Sequence, residues 1–388
     1  MDNLDGFIGR IRQVTGPVTG GLHEPVFAGN EKKYLAACID SGFVSSVGSF
    51  VTAFEESVRD FVGAQHAVAV VNGTAALHLA LVAVGVRAGD EVIVPAMSFV
   101  ATANAVSHAG AIAHFIDVNE ATWGIDPVAL RAHLDDVGRM NDGQLHNRET
   151  GRPITAVVPM HALGHPVAID ALLEVANEFG LVVIEDAAES LGSFVGDRHT
   201  GLFGRLGVFS FNGNKTITTG GGGIVVTDDE ALAKRLKHLS TTARVPHHYE
   251  FDHDMVGYNY RMPNINAALG LAQMEQLPSL INRQRSLFDL YTTSFADEFF
   301  GHVRREPQGA TSNYWLQAIS LKDEVKHNKD ELIRGCVDAG ISVRPLWKPL
   351  NTLDPYSSHP SAATPVTDDL YHRVICLPSS AFLADRHR

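Results

Sequence analysis

The chain has 388 residues, 45% of them apolar, with a formal net charge of −13. A chain this long buries enough surface to fold without a disulfide or metal staple, and its acidic field repels nucleic acid and anionic lipid. Its three cysteines, Cys38, Cys336 and Cys376, are scattered with no paired spacing, which argues for a reducing compartment and against a zinc site.

The acidic start, Met1-Asp2-Asn3-Leu4-Asp5, precedes no long apolar run, and no stretch has the roughly 18 apolar residues of a membrane span. The expectation is a cytoplasmic protein. Residues 31–62 read as helix, a Gly/Ser turn and a second helix with Phe50, Phe54, Val58 and Phe61 at helical spacing. A valine-rich strand, 67–71, then ends at Asn72-Gly73-Thr74 and gives way to a helix over 75–81. Strands follow at 91–95, 111–115 and 155–160, with helices at 100–108 and 127–134. Residues 135–152 are polar and read as an exposed loop.

A helix from Pro166 ends at Gly180, and the strand Leu181-Val182-Val183-Ile184 runs into Glu185-Asp186. Gly207 to Phe211 is the next strand. It delivers Lys215 onto a loop flanked by Asn212-Gly213-Asn214 and by Gly220 to Gly223. Ile224-Val225-Val226 is a further strand. Pro263 to Phe300 reads as long helices, followed by strands at 315–319 and 341–343 around a helix at 330–339.

Short, uniformly apolar strands separated by amphipathic helices predict an α/β fold with a mainly parallel sheet, covered on both faces. The boundary falls near residue 250, with a large domain over 1–250 and a smaller α+β domain over 251–388. In such sheets ligands bind beyond the carboxyl ends of the strands, where Asn72-Gly73-Thr74, Pro95, His161, Asp186 and Ser210 should converge.

Gly73-Thr74-Ala75 opens a helix after a strand, which makes an anion cradle from backbone N–H groups. It matches neither a Walker loop nor G-x-G-x-x-G, so nucleoside triphosphates and dinucleotides are disfavoured. Ser210 adds a phosphate donor, and Phe99 a ring face. A carboxylate at a strand tip, Asp186, beside an amine on a loop, Lys215, is what an electron-sink cofactor requires. Glu189, one turn on from Asp186, faces the same cavity. His247, His248 and His253 form no HExxH pattern, and no G-x-S-x-G elbow is present.

Five segments resemble the DegT/DnrJ/StrS family of pyridoxal-phosphate-dependent nucleotide-sugar aminotransferases. They are Asn72 to Leu77, Ser98 to Thr102, Glu185 to Ser190, Ser210 to Gly223 and Gly257 to Met262. The resemblance spans nearly the whole chain. It implies the aspartate aminotransferase fold (fold type I for this cofactor), with Lys215 carrying pyridoxal 5′-phosphate and Asp186 under the pyridine nitrogen. It further implies Phe99 near the ring, Thr74, Ala75 and Ser210 on the phosphate, and Asn259 reaching the cofactor of a neighbouring subunit in a homodimer. Many members carry Gln or His where this chain has Glu189. Lys215 sets the chain apart from family members that act as sugar dehydratases, which have His there.

Leu22 to Phe27, Val158 to His161 and the insert around 147–152 look like the branch that aminates C4 of UDP-2-acetamido-4-keto-2,6-dideoxyhexoses, as in bacillosamine and legionaminic acid synthesis. The expected reaction moves an amine from glutamate to such a sugar, with His161, Glu189, Arg344 and Trp347 as sugar contacts and no metal. Two alternatives stand beside it. One is a GDP- or dTDP-linked keto-sugar as acceptor. The other is a sugar-binding or regulatory protein on the same scaffold, which needs no reactive lysine.

Overall fold

The computed structural model describes residues 3–17 and 20–387; Met1 and Asp2 of the acidic start lie outside the described residues. A seven-stranded sheet forms its centre. In chain order the strands are β1 (His66–Val70), β2 (Glu91–Pro95), β3 (Ile112–Ile116), β4 (Ile154–Val157), β5 (Val182–Asp186), β6 (Leu206–Ser210) and β7 (Gly223–Thr227). Their spatial order is β1-β7-β6-β5-β4-β2-β3. Only β7 runs against the others, between β1 and β6. β2 and β7 are buried at every position, as a sheet covered on both faces demands.

The helices that cover it follow from their caps and apolar faces. In chain order the first eight α-helices of the described residues are α1 (Asn3–Thr15), α2 (Glu31–Asp40), α3 (Ser49–Val62), α4 (Gly73–Ala83), α5 (Ala101–His108), α6 (Pro127–Val137), α7 (Ile169–Glu178) and α8 (Glu230–Ser240). Asp126 caps α6 through the Val128 N–H, with Pro127 in its first turn, and Asp229 caps α8 through Ala231 and Leu232. In α4 nearly every side chain is buried, because one face lies on the sheet and the other under α5 and α8.

A second sheet joins Gly301–Val303, Gln317–Leu321, Val374–Leu377 and Arg344–Pro345, the last falling just after the strand expected at 341–343. Its core also holds Phe7, Ile8, Ile11 and Val14 from a helix at Asn3–Thr15, packed on Leu287 and Tyr291. Conversely, the helix Asn264–Met274 packs through Ala267 and Met274 with Phe54, Val58 and Ile224 of the first unit. Packing therefore crosses the boundary expected near residue 250 in both directions. The physical reason is that each segment has a helix near its amino end, Asn3–Thr15 and Asn264–Met274, whose apolar side chains are buried in the other segment's core.

Residues 135–152 depart from the loop expected there. The end of α6 runs into a hairpin, Gly138–Asn141 paired with Gln144–Asn147, turned by Asp142 and Gly143 at φ +49° and +79°. Beyond it, Asn147 Nδ2 and Thr150 Oγ1 donate to the fully buried Glu91 carboxylate at 2.9 and 2.5 Å. His114 Nδ1 binds the same carboxylate at 2.9 Å, and its Nε2 meets His133 Nε2 at 2.7 Å.

Burial, with His114 beside it, pushes the His133 ring from 6.5 down to about 4. The unfolded chain therefore takes up a proton between about pH 6.5 and 4 that the folded chain refuses, and folding stability falls as pH drops through that window. His133→Gln removes this dependence. Chemical denaturation at stepped pH should show a flatter loss for the variant than for wild type.

Candidate active site

Beyond the carboxyl ends of β1, β5 and β6 lies a pocket of about 280 Å³. Asn72, Gly73 and Thr74 form one wall, Asp186, Ala188 and Glu189 the floor, and Ser210 and Lys215 another wall. Trp315, Arg344 and Trp347 reach it from the second unit. Residues separated by more than 270 positions thus meet at one mouth.

The cradle is built by close backbone approach. Asn72 caps α4, its Oδ1 accepting from the Ala75 N–H at 2.8 Å. The earlier first-turn amides, of Gly73 and Thr74, have no acceptor within the helix, as for any helix start. A Cβ on Gly73 would sit 2.9 Å from Ser210 Cβ, and one on Gly223 2.5 Å from Asn72 O. Glycine is what lets β6 and β7 close on the cradle. Gly220 takes φ +78°, whereas Gly213 has open space and needs neither freedom.

Asp186 is 3% exposed. Thr102 Oγ1 donates to its Oδ2 at 2.7 Å, Ser98 Oγ lies 2.7 Å from Thr102 Oγ1, and the Ala188 N–H donates to Oδ1 at 3.2 Å. Burial raises its carboxyl above the usual range despite the Thr102 and Ala188 bonds and the positive charge of Lys215. A cation placed against this carboxylate would relieve that cost.

Lys215 Nζ lies 3.1 Å from Glu189 Oε1 and 4.0 Å from the centre of the Trp315 ring. Its side chain is 12% exposed, so the ring contact is worth roughly 2 kcal/mol. Trp315 is locked by its Nε1–H donating to Asn214 O at 2.7 Å, within the lysine loop itself. Glu189 is also held by the Leu163 N–H at 2.9 Å. Burial raises its carboxyl, with Lys215 pulling the other way.

Of the residues expected from sequence, the fold brings Gly73, Thr74, Phe99, Asp186, Glu189, Ser210, Lys215, Arg344 and Trp347 to this pocket. Phe99 is 50% exposed at its rim. Three others stand elsewhere. Ala75 is buried one residue deeper, with its N–H taken by Asn72. His161 is fully buried behind β5. Asn259 is exposed on the outside, bridged to Thr241. Two members went unforeseen. Thr102 stands four residues after Ser98, a helical spacing visible in the sequence; Trp315 meets Lys215 across 100 positions, which no local pattern reveals.

The residues fit pyridoxal phosphate: an amine and a buried carboxylate share one pocket, and beside them is a cradle that a Cβ at Gly73 would fill. The DegT/DnrJ/EryC1/StrS aminotransferase family model matches residues 26–387. The chain belongs to this family. It is 36% identical over 364 residues to GDP-perosamine synthase of Escherichia coli O157:H7, covering 94% of each chain. With the putative pyridoxal phosphate-dependent aminotransferase EpsN of Bacillus subtilis (strain 168) it shares 37% over 375 residues, or 94% and 92% of the two chains. Among solved structures, Helicobacter pylori PseC, an aminotransferase involved in the biosynthesis of pseudoaminic acid, superposes with a TM-score of 0.84 at 26% identity, covering 93% of this chain and 94% of that one.

The fold is thus that of the type I pyridoxal-phosphate aminotransferases, and the family member described here is a pyridoxal-phosphate-dependent nucleotide-sugar aminotransferase. No helix among the described residues is long and apolar enough to cross a membrane.

Proposed function

We propose that the enzyme transfers an amine from glutamate to C4 of a GDP-linked keto-deoxy sugar. The observation that carries the transfer is the meeting of Lys215, Asp186 and the Gly73–Thr74 cradle in one pocket. The GDP preference is supported by three relatives, from E. coli O157:H7, Vibrio cholerae and Caulobacter vibrioides, which are GDP-perosamine synthases at 35–36% identity. A UDP-linked 2-acetamido sugar is the second reading, favoured by the segments at 22–27, 147–152 and 158–161.

The cofactor supplies an electron sink for the charge released at the reacting carbon. Lys215 has two tasks, to hold the cofactor and to move protons at that carbon. Asp186, fixed by Thr102, would hold a negative charge for the ring nitrogen. Gly73, Thr74 and Ser210 bind the phosphate through N–H and O–H donors. Glu189 orients Lys215 and takes part of its positive charge. Phe99, half-exposed at the pocket rim, would shield a bound ring from water. Arg344 and Trp347, facing from the second unit, hold the anionic and flat parts of the sugar nucleotide.

Purified enzyme charged with glutamate and offered GDP-, UDP- and dTDP-linked 4-keto sugars should release 2-oxoglutarate and form an amino sugar fastest with the GDP compound. Preference for the UDP-linked acetamido sugar would reverse the assignment of the nucleotide while leaving the chemistry intact.

The active unit is proposed to be a homodimer in which Asn259 reaches the partner's phosphate site. Support comes from its exposure and from a run of exposed apolar neighbours, Phe251, Met255 and Val256. Sedimentation at assay concentration should give twice the chain mass. A fully active monomer would contradict it.

A further inference from the structure

His161 stands at a strand end, as expected of a sugar contact, yet its ring is 0% exposed and both of its nitrogens are engaged. The Val167 N–H points to Nδ1 at 3.2 Å and can only donate, so Nδ1 accepts and the proton sits on Nε2. Nε2 then donates to Glu185 Oε2 at 3.0 Å. Neither nitrogen is left for a substrate.

Glu185 is the neighbour of Asp186 on β5, so the two side chains leave opposite faces of the sheet. Its carboxylate is 0% exposed and accepts three further bonds, from the N–H groups of Gly201, Phe203 and Gly204 at 2.7, 2.6 and 2.7 Å. All of its acceptor positions are filled. Burial opposes its ionisation, but the bond from His161 and those from Gly204 and Gly201 outweigh it and hold the carboxyl below the usual range. The backbone N–H of His161 donates to Asp186 O at 3.1 Å, and the Asp186 N–H donates to Pro159 O at 2.8 Å. One residue therefore grips the tip of β5 twice, through the side chain of Glu185 and the backbone of Asp186.

We infer that His161 and Glu185 form a positioning pair that fixes Asp186 in the orientation the cofactor ring needs, a role that rests on the place of Asp186 proposed above. Thr102 steers the Asp186 carboxylate from the pocket side, and the backbone N–H of His161, whose ring is tied to Glu185, holds its main chain from the other. A charged anchor suits this task. An apolar contact could slide, whereas four hydrogen bonds to one carboxylate define a single position.

The test compares wild-type holoenzyme with His161→Gln, Glu185→Gln and the double variant. Its readouts are the pH titration of the bound cofactor's visible band, retention of cofactor on dialysis, and kcat and KM for the sugar nucleotide. Each single change should shift the titration and lower kcat about 10- to 100-fold, as when a residue orienting a working side chain is lost. KM should stay near wild type, and the double variant should be no worse than the weaker single.

A raised KM with unchanged kcat and spectrum would place His161 on the substrate and overturn the pair. A lowered melting temperature with unchanged kcat and spectrum would make the pair merely structural. Glu185→Gln sets an amide NH2 against two N–H donors, whichever oxygen it replaces. If it does not fold, His161→Gln, which keeps an acceptor for Val167, decides through the same readouts. A wild-type enzyme lacking any Lys215-dependent band would instead remove the place of Asp186 itself.

Discussion

Lys215→Arg should abolish the visible absorption of the bound cofactor and cut the transfer rate by about 10³-fold or more. Arginine keeps the positive charge beside Glu189, so the 3.1 Å pairing at that carboxylate retains a partner and the fold should survive. Removing the charge outright, as in Lys215→Ala, would leave the buried Glu189 unpaired at a cost of roughly 3–5 kcal/mol. A guanidinium stays protonated at every accessible pH, so it is neither a nucleophile nor a base. General acid–base help alone is worth about 10²–10⁴-fold, and the covalent tether is lost as well. Stopped-flow absorbance with glutamate, beside circular dichroism to confirm folding, measures both effects. Persistent colour and turnover would move the chemistry to another residue.

Asp186→Asn should lower kcat about 10²-fold, while the cofactor stays attached and KM changes little. The substitution keeps shape and the Thr102 contact but removes the negative charge. A buried carboxylate of this kind is unfavourable on its own, because burial raises its carboxyl above the usual range. Its cost is offset only if a cation meets it, and the ring nitrogen is the cation the chemistry needs. Because the charge acts on the reacting state rather than on ground-state binding, the loss belongs in kcat. Equal kcat in the variant would mean that Asp186 meets no ring.

The reactive core was legible from sequence because it is local. β1, β5 and β6 are short apolar runs with their functional residues at or just past the carboxyl ends, β7 brings Gly223 in at its amino end, and the glycines beside Lys215 announce close approach. The hairpin at 138–147 carried its own sign, Asp142-Gly143, which a polar composition obscured. The helix at Asn3–Thr15 also had a legible face, in Phe7, Ile8, Ile11 and Val14, but its partners lie some 280 residues away. His161 shows the opposite limit. Its position at a strand end was readable, whereas the direction of its ring depends on Glu185 and Val167, and those contacts exist only once the strands are packed. Trp315 is hidden for the same reason.

The most direct measurement is borohydride reduction of the holoenzyme followed by peptide mass mapping. The account predicts one reduced phosphopyridoxyl group per chain, on Lys215. A label on any other lysine, or no label with full activity retained, would contradict it.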